Sequence, residues 1–441
     1  MTAKIIVLDD DPTGCQTVHG CLLLTQWDLE TLRLGLQDQS SLLFILTNTR
    51  AIAPQAAEEV TRQVCTNLQL VLAELGIKEF LLVSRSDSTL RGHYPIETDA
   101  IAATLGKFDA HFLVPAFFEG GRFTRDSIHY LVVDGVPTPT HLTEFARDSV
   151  FGYSTSYLPD YVEEKTQGRI KAEQVQKFSL DQVQRGCLPE LLQLQHNQCC
   201  VVDAVTQADL DLFARDILAA TQAGKRFLFR SAASLLTALA QLPPQAIAPE
   251  SMVRYRRSDA PGVVVVGSHV RKTSEQLAEL LQLPTVVGVE VKVERLVDPA
   301  TRSQTQASLC AEVLSQVQQI FDQELTPVIY TSRQELNFPD PVTRLEFGQG
   351  VSNLLMQIVQ GLPPQLSFLI SKGGITSNDV LSIGLQLKAA RLLGQILAGC
   401  SVVTTPADHP LFPNLPVVLF PGNVGDRSSL ATVYHRLIGA P

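Results

Sequence analysis

Short apolar runs alternate with polar, glycine-containing segments along most of the chain, and residues 150–198 are less regular. In the first half, the strand-like runs are residues 5–8, 42–46, 80–83, 111–114, 199–203 and 227–230. Between the second and third runs, apolar residues recur at helical spacing from Pro54 until Gly76, a residue that commonly ends helices. Buried strands alternating with helices are typical of a parallel sheet flanked by helices.

The second half of the chain repeats this alternation after a change in composition. Residues 242–262 carry several prolines and arginines with little apolar periodicity, which is typical of an interdomain connector. Later strand-like runs, each leading into a loop of small residues, are residues 263–266, 368–370 and 417–420. We therefore predict two α/β domains with mainly parallel sheets and a cleft between them, namely residues 1–245 and 262–441 joined by a linker, 246–261.

Three aspartates, Asp9, Asp10 and Asp11, directly follow the first apolar run. In open α/β sheets, ligands bind beyond the carboxyl ends of the strands, so these side chains lie where a site is expected. Neighbouring carboxylates repel each other and need a cation, a metal ion or a shared proton. A simple turn would need only one such acid. We therefore interpret the cluster as part of a binding or catalytic site.

Four arginines follow strands of the first half, and these are Arg50, Arg85, Arg91 and Arg122. A guanidinium group matches the geometry of carboxylates and phosphates, because it can donate two parallel hydrogen bonds. The alternative is that the arginines only neutralise the aspartates, which explains one arginine better than all four. The set predicts an anionic ligand.

Glycine-containing loops follow strands of the second half. Residues 373–376 and 422–425 each place glycines between a strand and a helix, where the backbone can approach a phosphate closely. Neither loop has the Walker sequence or the dinucleotide-binding fingerprint. Together with Gly267 and Ser268, the two loops predict a nucleotide site.

Composition and charge limit the classes of function. The chain has 441 residues and a net charge of −10, which argues against a nucleic-acid-binding surface. No apolar run approaches the roughly 18 residues that span a bilayer, and the first residues do not resemble a secretory signal. The eight cysteines are scattered without metal-ligand spacing, as expected in a reducing compartment. We expect a cytoplasmic protein without a membrane partner.

One interpretation of the acidic cluster is a phosphatase. Asp9, Asp11 and Thr13 fit the D-x-D-x-T motif of haloacid dehalogenase-like enzymes. In that case Asp9 would attack phosphorus, Asp11 would act as acid and base, and magnesium would bridge the groups. The downstream lysine and paired acids of such enzymes are not evident, and the second domain would have no role.

The same motifs carry a resemblance to a known family. Nearly from end to end, the chain resembles the four-carbon acid sugar kinases. The matching motifs are DDxTG at residues 10–14, DSTLRG at 87–92, GS at 267–268, GGxT at 373–376 and GNxG at 422–425, and residues 115–117 and 121–122 match the PAF and GR of PAFPxxGR. The DSTLRG motif is long enough to be specific.

The resemblance implies an ATP-dependent kinase that phosphorylates a hydroxyl group of a tetronate or 3-oxo-tetronate, with ATP and Mg²⁺ as cofactors. It implies that the sugar acid is bound by Asp10, Asp11, Arg50, Arg85, Ser86, Asp87, Ser88, Thr89 and Arg91, with Asp11 or Asp87 as the acceptor of the hydroxyl proton. It implies that ATP is bound by Ser268, Gly373, Gly374, Ile375, Thr376, Gly422 and Asn423. It assigns no metal ligands and leaves the oligomeric state open, with a homo-oligomer among the options.

The chain departs from the family pattern at three positions. Asp9 adds a third acid, Ile375 stands where an acidic residue is common, and Phe420 stands where a lysine is common. We hypothesise that Lys372 supplies the missing cation. The missing lysine also motivates a third interpretation, a sugar-acid- and nucleotide-binding protein without catalytic activity.

Overall fold

The computed structural model describes residues 3–333, 336, 338 and 340–440. The chain divides into two units, residues 1–244 and 245–441. The strands of the first unit are β1 Lys4–Asp9, β2 Leu22–Leu24, β3 Leu42–Leu46, β4 Phe80–Arg85, β5 Ala110–Val114, β6 Arg122–Arg125, β7 Ile128–Val133, β8 Val136–Pro139, β9 Gln176–Phe178, β10 Gln198–Val202 and β11 Phe227–Ser231. Its helices are α1 Leu29–Gln37, α2 Pro54–Leu75, α3 Ile96–Leu105, α4 Leu158–Lys165, α5 Leu180–Arg185, α6 Leu188–Gln193, α7 Gln207–Gln222 and α8 Ala233–Ala240.

Eight strands of the first unit form a parallel sheet in the order β2-β3-β1-β4-β11-β5-β10-β9. The register pairs Asp9 at the end of β1 with Leu46 of β3 and with Arg85 of β4. Three strand ends, and the loops that follow them, therefore lie side by side at one edge of the sheet. Strands β6, β7 and β8 form a separate antiparallel sheet.

Helix α2 shows how local sequence sets an element's limits. Pro54 occupies the first turn, where its fixed φ and missing N–H are tolerated. Gly76 ends the helix in the left-handed conformation, with φ of 68°, and its N–H donates to the carbonyls of Leu72 and Ala73. Both limits agree with the prediction from sequence.

The second unit has strands β12 Val263–Val266, β13 Val286–Val291, β14 Thr326–Thr331, β15 Leu369–Lys372, β16 Ala389–Leu397, β17 Cys400–Thr404 and β18 Pro416–Phe420. Its α-helices are α9 Arg271–Leu280, α10 Arg302–Phe321, α11 Pro341–Gln360, α12 Gly374–Asp379 and α13 Ser429–Ile438, and a π-helical turn, Val380–Gly384, follows α12. Strands β13-β14-β12-β15-β18 are parallel, and β17 and β16 continue the sheet antiparallel. The predicted α/β class with mainly parallel sheets is confirmed.

The segment predicted as a linker is folded as part of the second unit. A 3₁₀-helix, Pro249–Tyr255, lies within it. Its Met252 is fully buried in the apolar core of the second unit, together with residues such as Phe368 and Tyr434. Burial of this side chain explains why a proline-rich segment adopts a defined structure.

Among the helices that the structure describes, none combines the length and the apolar character needed to cross a membrane.

Candidate active site

The acidic cluster lies at the carboxyl ends of β1, β3 and β4. The backbone ties the three loops together, because the N–H of Asp10 donates to the carbonyl of Arg85 and the N–H of Arg50 donates to the carbonyl of Asp10, both at 3.3 Å. This edge of a parallel sheet is where α/β proteins bind ligands. The acids and arginines of these loops therefore lie close together at this edge.

Arg50 is the centre of the cluster. Its Nη2 atom contacts Asp10 Oδ1 at 2.5 Å, and its Nη1 atom lies 3.4 Å from Asp11 Oδ2 and 3.7 Å from Asp87 Oδ1. One guanidinium group therefore bridges three carboxylates from two loops. The positive charge of Arg50 offsets the repulsion between these carboxylates. The sequence had left a cation, a metal ion and a shared proton as alternatives.

Asp11 and Asp87 are the predicted catalytic acids, and both keep part of their side chains accessible, 22% and 14% respectively. Burial disfavours the charge of Asp11, but the positive charges of Arg50 and Arg85 outweigh this effect and lower its pKa. Burial likewise opposes ionisation of Asp87, and Arg50 and Arg91 overcome it and hold the pKa far below its ordinary value. Both groups are carboxylates at neutral pH.

The loop that carries Asp87 is held by its own side chains and by tyrosines. Asp87 Oδ2 accepts hydrogen bonds from Arg91 Nε at 2.9 Å and from the hydroxyl group of Thr89. The hydroxyl of Tyr153 donates to the carbonyl of Thr89 at 2.7 Å, and that of Tyr161 donates to the carbonyl of Leu90 at 2.8 Å. Thr89 therefore fixes the loop, and its side chain is almost fully buried.

Other predicted substrate-binding residues are enclosed. Asp10 is 1% exposed, and its oxygens are engaged by Arg50 and by the hydroxyl of Ser86. Arg85 is buried against Asp9, with an Nη1 to Oδ1 distance of 3.2 Å. Ser88 is also buried, and its carbonyl contacts His129. These buried groups hold the site in place. The side chains of Asp11, Arg50, Asp87 and Arg91 remain partly accessible.

Asp9 lies deepest in the cluster. It is fully buried, and burial raises its pKa to about 7, against the opposing charge of Arg85. Its Oδ2 atom has no hydrogen-bond partner among the residues described by the structure. Gly14 packs directly on this carboxyl group, since a Cβ atom at position 14 would lie 2.1 Å from Oδ2. The glycine is required by this close approach.

The raised pKa of Asp9 predicts a pH dependence of stability. The folded state holds the proton more tightly than the unfolded chain, so this contribution to stability is present below about pH 4 and is lost as the pH rises through about 7. The Asp9→Asn variant has no proton to lose. Between pH 4 and 7, we expect its unfolding free energy relative to wild type to rise by about 1 kcal/mol per pH unit. Urea denaturation at several pH values measures this difference, and a difference independent of pH would contradict the prediction.

A pocket opens beside the Asp87 loop. Its lining residues are Ser86, Asp87, Leu90, Arg91, Tyr94, Leu113, Pro115, Tyr161, Arg230 and Ser231. Three of them, Ser86, Asp87 and Arg91, were predicted as substrate-binding residues. The pocket combines guanidinium groups, a carboxylate and aromatic walls, which suits a small polar anion.

Two residues of the site, Arg230 and Glu97, were not predicted from the sequence. Arg230 Nη1 contacts Glu97 at 2.6 Å and the hydroxyl of Ser84 at 2.7 Å, and Arg230 Nη2 contacts the hydroxyl of Ser86 at 2.8 Å. A buried ion pair of this kind orders the polar floor of the pocket. The sequence feature that could have indicated Arg230 is an arginine near the end of a strand, β11, that begins with apolar residues.

The predicted nucleotide-binding loops meet at the carboxyl ends of β12, β15 and β18. A Cβ atom at Gly267 would lie 2.3 Å from Thr376 Oγ1, and one at Gly422 would lie 3.1 Å from Ser268 Oγ. Gly373 has φ of +123°, which favours glycine, and faces Ser268. The three loops are therefore neighbours in the second unit, as the nucleotide-site prediction requires.

The remaining predicted residues of these loops differ in exposure. The side chain of Ile375 is 64% exposed, and Asn423 is also exposed, with its carbonyl accepting from Lys272 Nζ at 3.3 Å. Gly374 begins the short helix α12. The hydroxyl of Thr273, in the first turn of α9, donates to the carbonyl of Gly422 at 3.2 Å and fixes the spacing between two loops.

Lys372 is fully buried under the last glycine loop. Its Nζ atom donates to the carbonyl of Pro421 at 2.5 Å and lies 3.9 Å from the centre of the Phe420 ring. Burial lowers its pKa to about 7. Lys372 is the residue hypothesised to supply the missing cation. Its ammonium group contacts the backbone of the loop, so its role in this structure is to position the loop.

Comparisons with known proteins agree with the division into two units. A family model described as a sugar-binding N-terminal domain matches residues 5–239, and one described as a nucleotide-binding C-terminal domain matches residues 263–430. A curated relative, the D-erythronate kinase of Heliobacterium modesticaldum, is 27% identical over 324 residues, which cover 71% of this chain and 68% of that protein.

Two solved structures share the fold. A Salmonella typhimurium LT2 protein, described as a candidate tRNA synthase, has a TM-score of 0.67 at 21% identity, with 98% of each chain covered. The Haemophilus influenzae protein HI1011 has a TM-score of 0.65 at 17% identity, with 98% of this chain and 100% of that chain covered. At these identities the likeness concerns the fold alone. The two domain models together match most of the sequence, and the chain therefore belongs to the four-carbon acid sugar kinase family.

Proposed function

We propose that the protein is an ATP-dependent kinase that transfers the γ-phosphoryl group to a hydroxyl group of a four-carbon sugar acid, with D-erythronate as the first acceptor to test. The observation that carries this proposal is the pair of accessible carboxylates, Asp11 and Asp87, held by Arg50 beside a pocket for a small polar ligand. The curated relative, a D-erythronate kinase, supports the choice of acceptor.

Phosphoryl transfer needs positioning, neutralisation of phosphate charge and an acceptor for the hydroxyl proton. In this proposal, Arg91 and the pocket bind the sugar acid, and Asp11 accepts the proton. Asp11 is chosen over Asp87 as the base because its side chain is the more accessible of the two, 22% against 14%. The carboxylate of Asp87 orients Arg50 and Arg91.

The loops of the second unit are proposed to bind the triphosphate through their backbone N–H groups. Glycines at positions 267, 373 and 422 leave room for a phosphate to approach the backbone. Magnesium is proposed to arrive as the ATP complex and to be held mainly by phosphate oxygens, as is common for this ion.

The geometry favours a kinase over the phosphatase interpretation. A phosphatase nucleophile must reach the phosphorus atom, but Asp9 is fully buried, and Gly14 covers its free oxygen. The raised pKa of Asp9 also favours its protonated form, which is a poor nucleophile. Asp9 therefore fits a supporting role.

Formation of ADP tests the proposal. Purified protein is incubated with magnesium and ATP, and with D-erythronate or its stereoisomers as acceptors. We expect ADP formation to rise at least tenfold over the acceptor-free rate with one of these acids. Phosphate release from sugar phosphates in the absence of ATP would instead favour the phosphatase. Binding of both ligands without turnover would favour the non-catalytic interpretation.

A further inference from the structure

Most arginines of the first-unit site already have a carboxylate partner. The four ion pairs are Arg50 to Asp10, Arg85 to Asp9, Arg91 to Asp87 and Arg230 to Glu97, with distances between 2.5 and 3.2 Å. In these pairs the guanidinium charge is largely balanced within the protein. A ligand carboxylate would have to compete with them.

Arg122 differs from these four. Within the part of the chain that the structure describes, no carboxylate lies within 4.0 Å of its guanidinium group. Its Nη1 atom donates to the carbonyl of Gly120 at 2.6 Å, and its Nε atom, like that of Arg85, is buried without a hydrogen-bond partner. Burial lowers the pKa of Arg122, and the nearby charge of Asp87 only partly opposes this effect. A guanidinium charge that no carboxylate of the protein balances is available to pair with an anionic ligand.

The guanidinium group is held in place by its own loop. A β-bridge joins Phe117 and Arg122, with the two backbone hydrogen bonds at 2.9 and 3.0 Å. The Phe117 ring lies 5.8 Å from the guanidinium carbon. Gly120 leaves the space that the group occupies, since a Cβ atom there would lie 2.1 Å from Nη1. A fixed orientation reduces the entropy that Arg122 would lose on binding a ligand.

The loop belongs to the candidate site. It follows β5, whose carboxyl end lies at the same sheet edge as that of β4, with β11 between them. Pro115, in the same loop, lines the pocket together with Asp87 and Arg91. The charges of Asp87 and Arg91 both act on Arg122. The guanidinium group of Arg122 is thus a cation that interacts electrostatically with two residues lining the pocket, Asp87 and Arg91.

We propose that Arg122 binds the carboxylate of the acceptor and makes the site selective for sugar acids over neutral polyols. This inference rests on the proposed function and adds the residue that recognises the acid group. The acid would pair with this half-buried guanidinium group, whereas a polyol would leave its charge unbalanced. Sites that leave a polar group unpaired with the wrong ligand discriminate strongly.

Binding measurements on the full chain test the proposal directly. We compare Arg122→Met and Arg122→Lys with wild type, using calorimetry with D-erythronate, with erythritol as the neutral analogue, and with a non-hydrolysable ATP analogue. For Arg122→Met we expect about 30-fold weaker binding of D-erythronate, unchanged binding of the nucleotide, and a preference for the acid over erythritol that is largely lost. Arg122→Lys keeps the positive charge but cannot donate two parallel hydrogen bonds. It should therefore bind D-erythronate more tightly than Arg122→Met and less tightly than wild type.

Arg125→Met is the matched control. It lies on the same strand, β6, is exposed, and has its guanidinium carbon 5.9 Å from the Phe123 ring. This variant should bind D-erythronate as wild type does. A thermal melt of each variant identifies loss of folding.

Two results would overturn the role of Arg122. One is a folded Arg122→Met protein that binds D-erythronate within threefold of wild type, and the other is equal loss of affinity for the acid and for erythritol. Wild-type protein that binds the acid without forming ADP would contradict the kinase proposal but not the role of Arg122. Wild-type protein that binds none of the four-carbon acids would overturn both.

Discussion

Asp11→Asn is expected to lower kcat for phosphoryl transfer by roughly 10²- to 10⁴-fold, the range typical of removing a general base. Asparagine has nearly the same shape as aspartate, and its oxygen can still accept the hydrogen bond that Thr13 N–H donates to Asp11 Oδ1 at 2.8 Å. The turn should therefore survive while the proton acceptor is lost. Coupled measurement of ADP at saturating acceptor gives kcat.

The change should leave nucleotide binding intact, because Asp11 belongs to the first unit and the proposed triphosphate loops belong to the second. Calorimetry with a non-hydrolysable ATP analogue checks this point. Asp181→Asn is the matched control, since Asp181 is an exposed acid of the same unit in the first turn of α5. An Asp11→Asn enzyme with kcat within threefold of wild type would contradict the assignment of Asp11.

Gly422→Val is expected to have the second large effect, a loss of nucleotide affinity of about 100-fold, which corresponds to about 2.7 kcal/mol. The Cβ atom at position 422 would lie 3.1 Å from Ser268 Oγ and 3.6 Å from Val270 Cγ2. The valine side chain would therefore fill the space between two loops that is proposed for phosphate. Calorimetry with the ATP analogue measures the change, and the affinity for D-erythronate should not change.

Gly348→Val provides the control for this substitution. Gly348 lies in helix α11 of the same unit, and a Cβ atom there would meet no atom within 4 Å. Any general effect of replacing glycine by valine should appear in both variants, whereas loss of nucleotide binding should appear only at position 422. Equal nucleotide affinity of Gly422→Val and wild type would exclude the 422 loop from the binding site.

The sequence could predict the α/β class because the signals are local. Four consecutive valines make a buried strand at β12, and Pro54 and Gly76 limit α2 through their own backbone preferences. The structure of the predicted linker, residues 246–261, could not be predicted in the same way. Its prolines suggested a linker, but the burial of Met252 depends on a core assembled from distant segments.

The sequence also indicated which loops carry polar and charged groups, because carboxyl ends of parallel strands share one edge of a sheet. It could not rank the residues within those loops. Asp10 and Asp11 are neighbours in sequence, yet one is enclosed by Arg50 and Ser86 while the other keeps an accessible edge. That distinction depends on strand register and on the side chains contributed by other loops.

By itself, then, the sequence determined the alternation of strands and helices, the loops that carry acids, arginines and glycines, and the family motifs. Only the tertiary structure decided which charges are paired. Arg122 and Arg85 look alike as loop arginines, but Arg85 contacts Asp9 while Arg122 has no carboxylate partner among the described residues. Pairing is a matter of distances between segments far apart in the chain, and no local pattern encodes those distances.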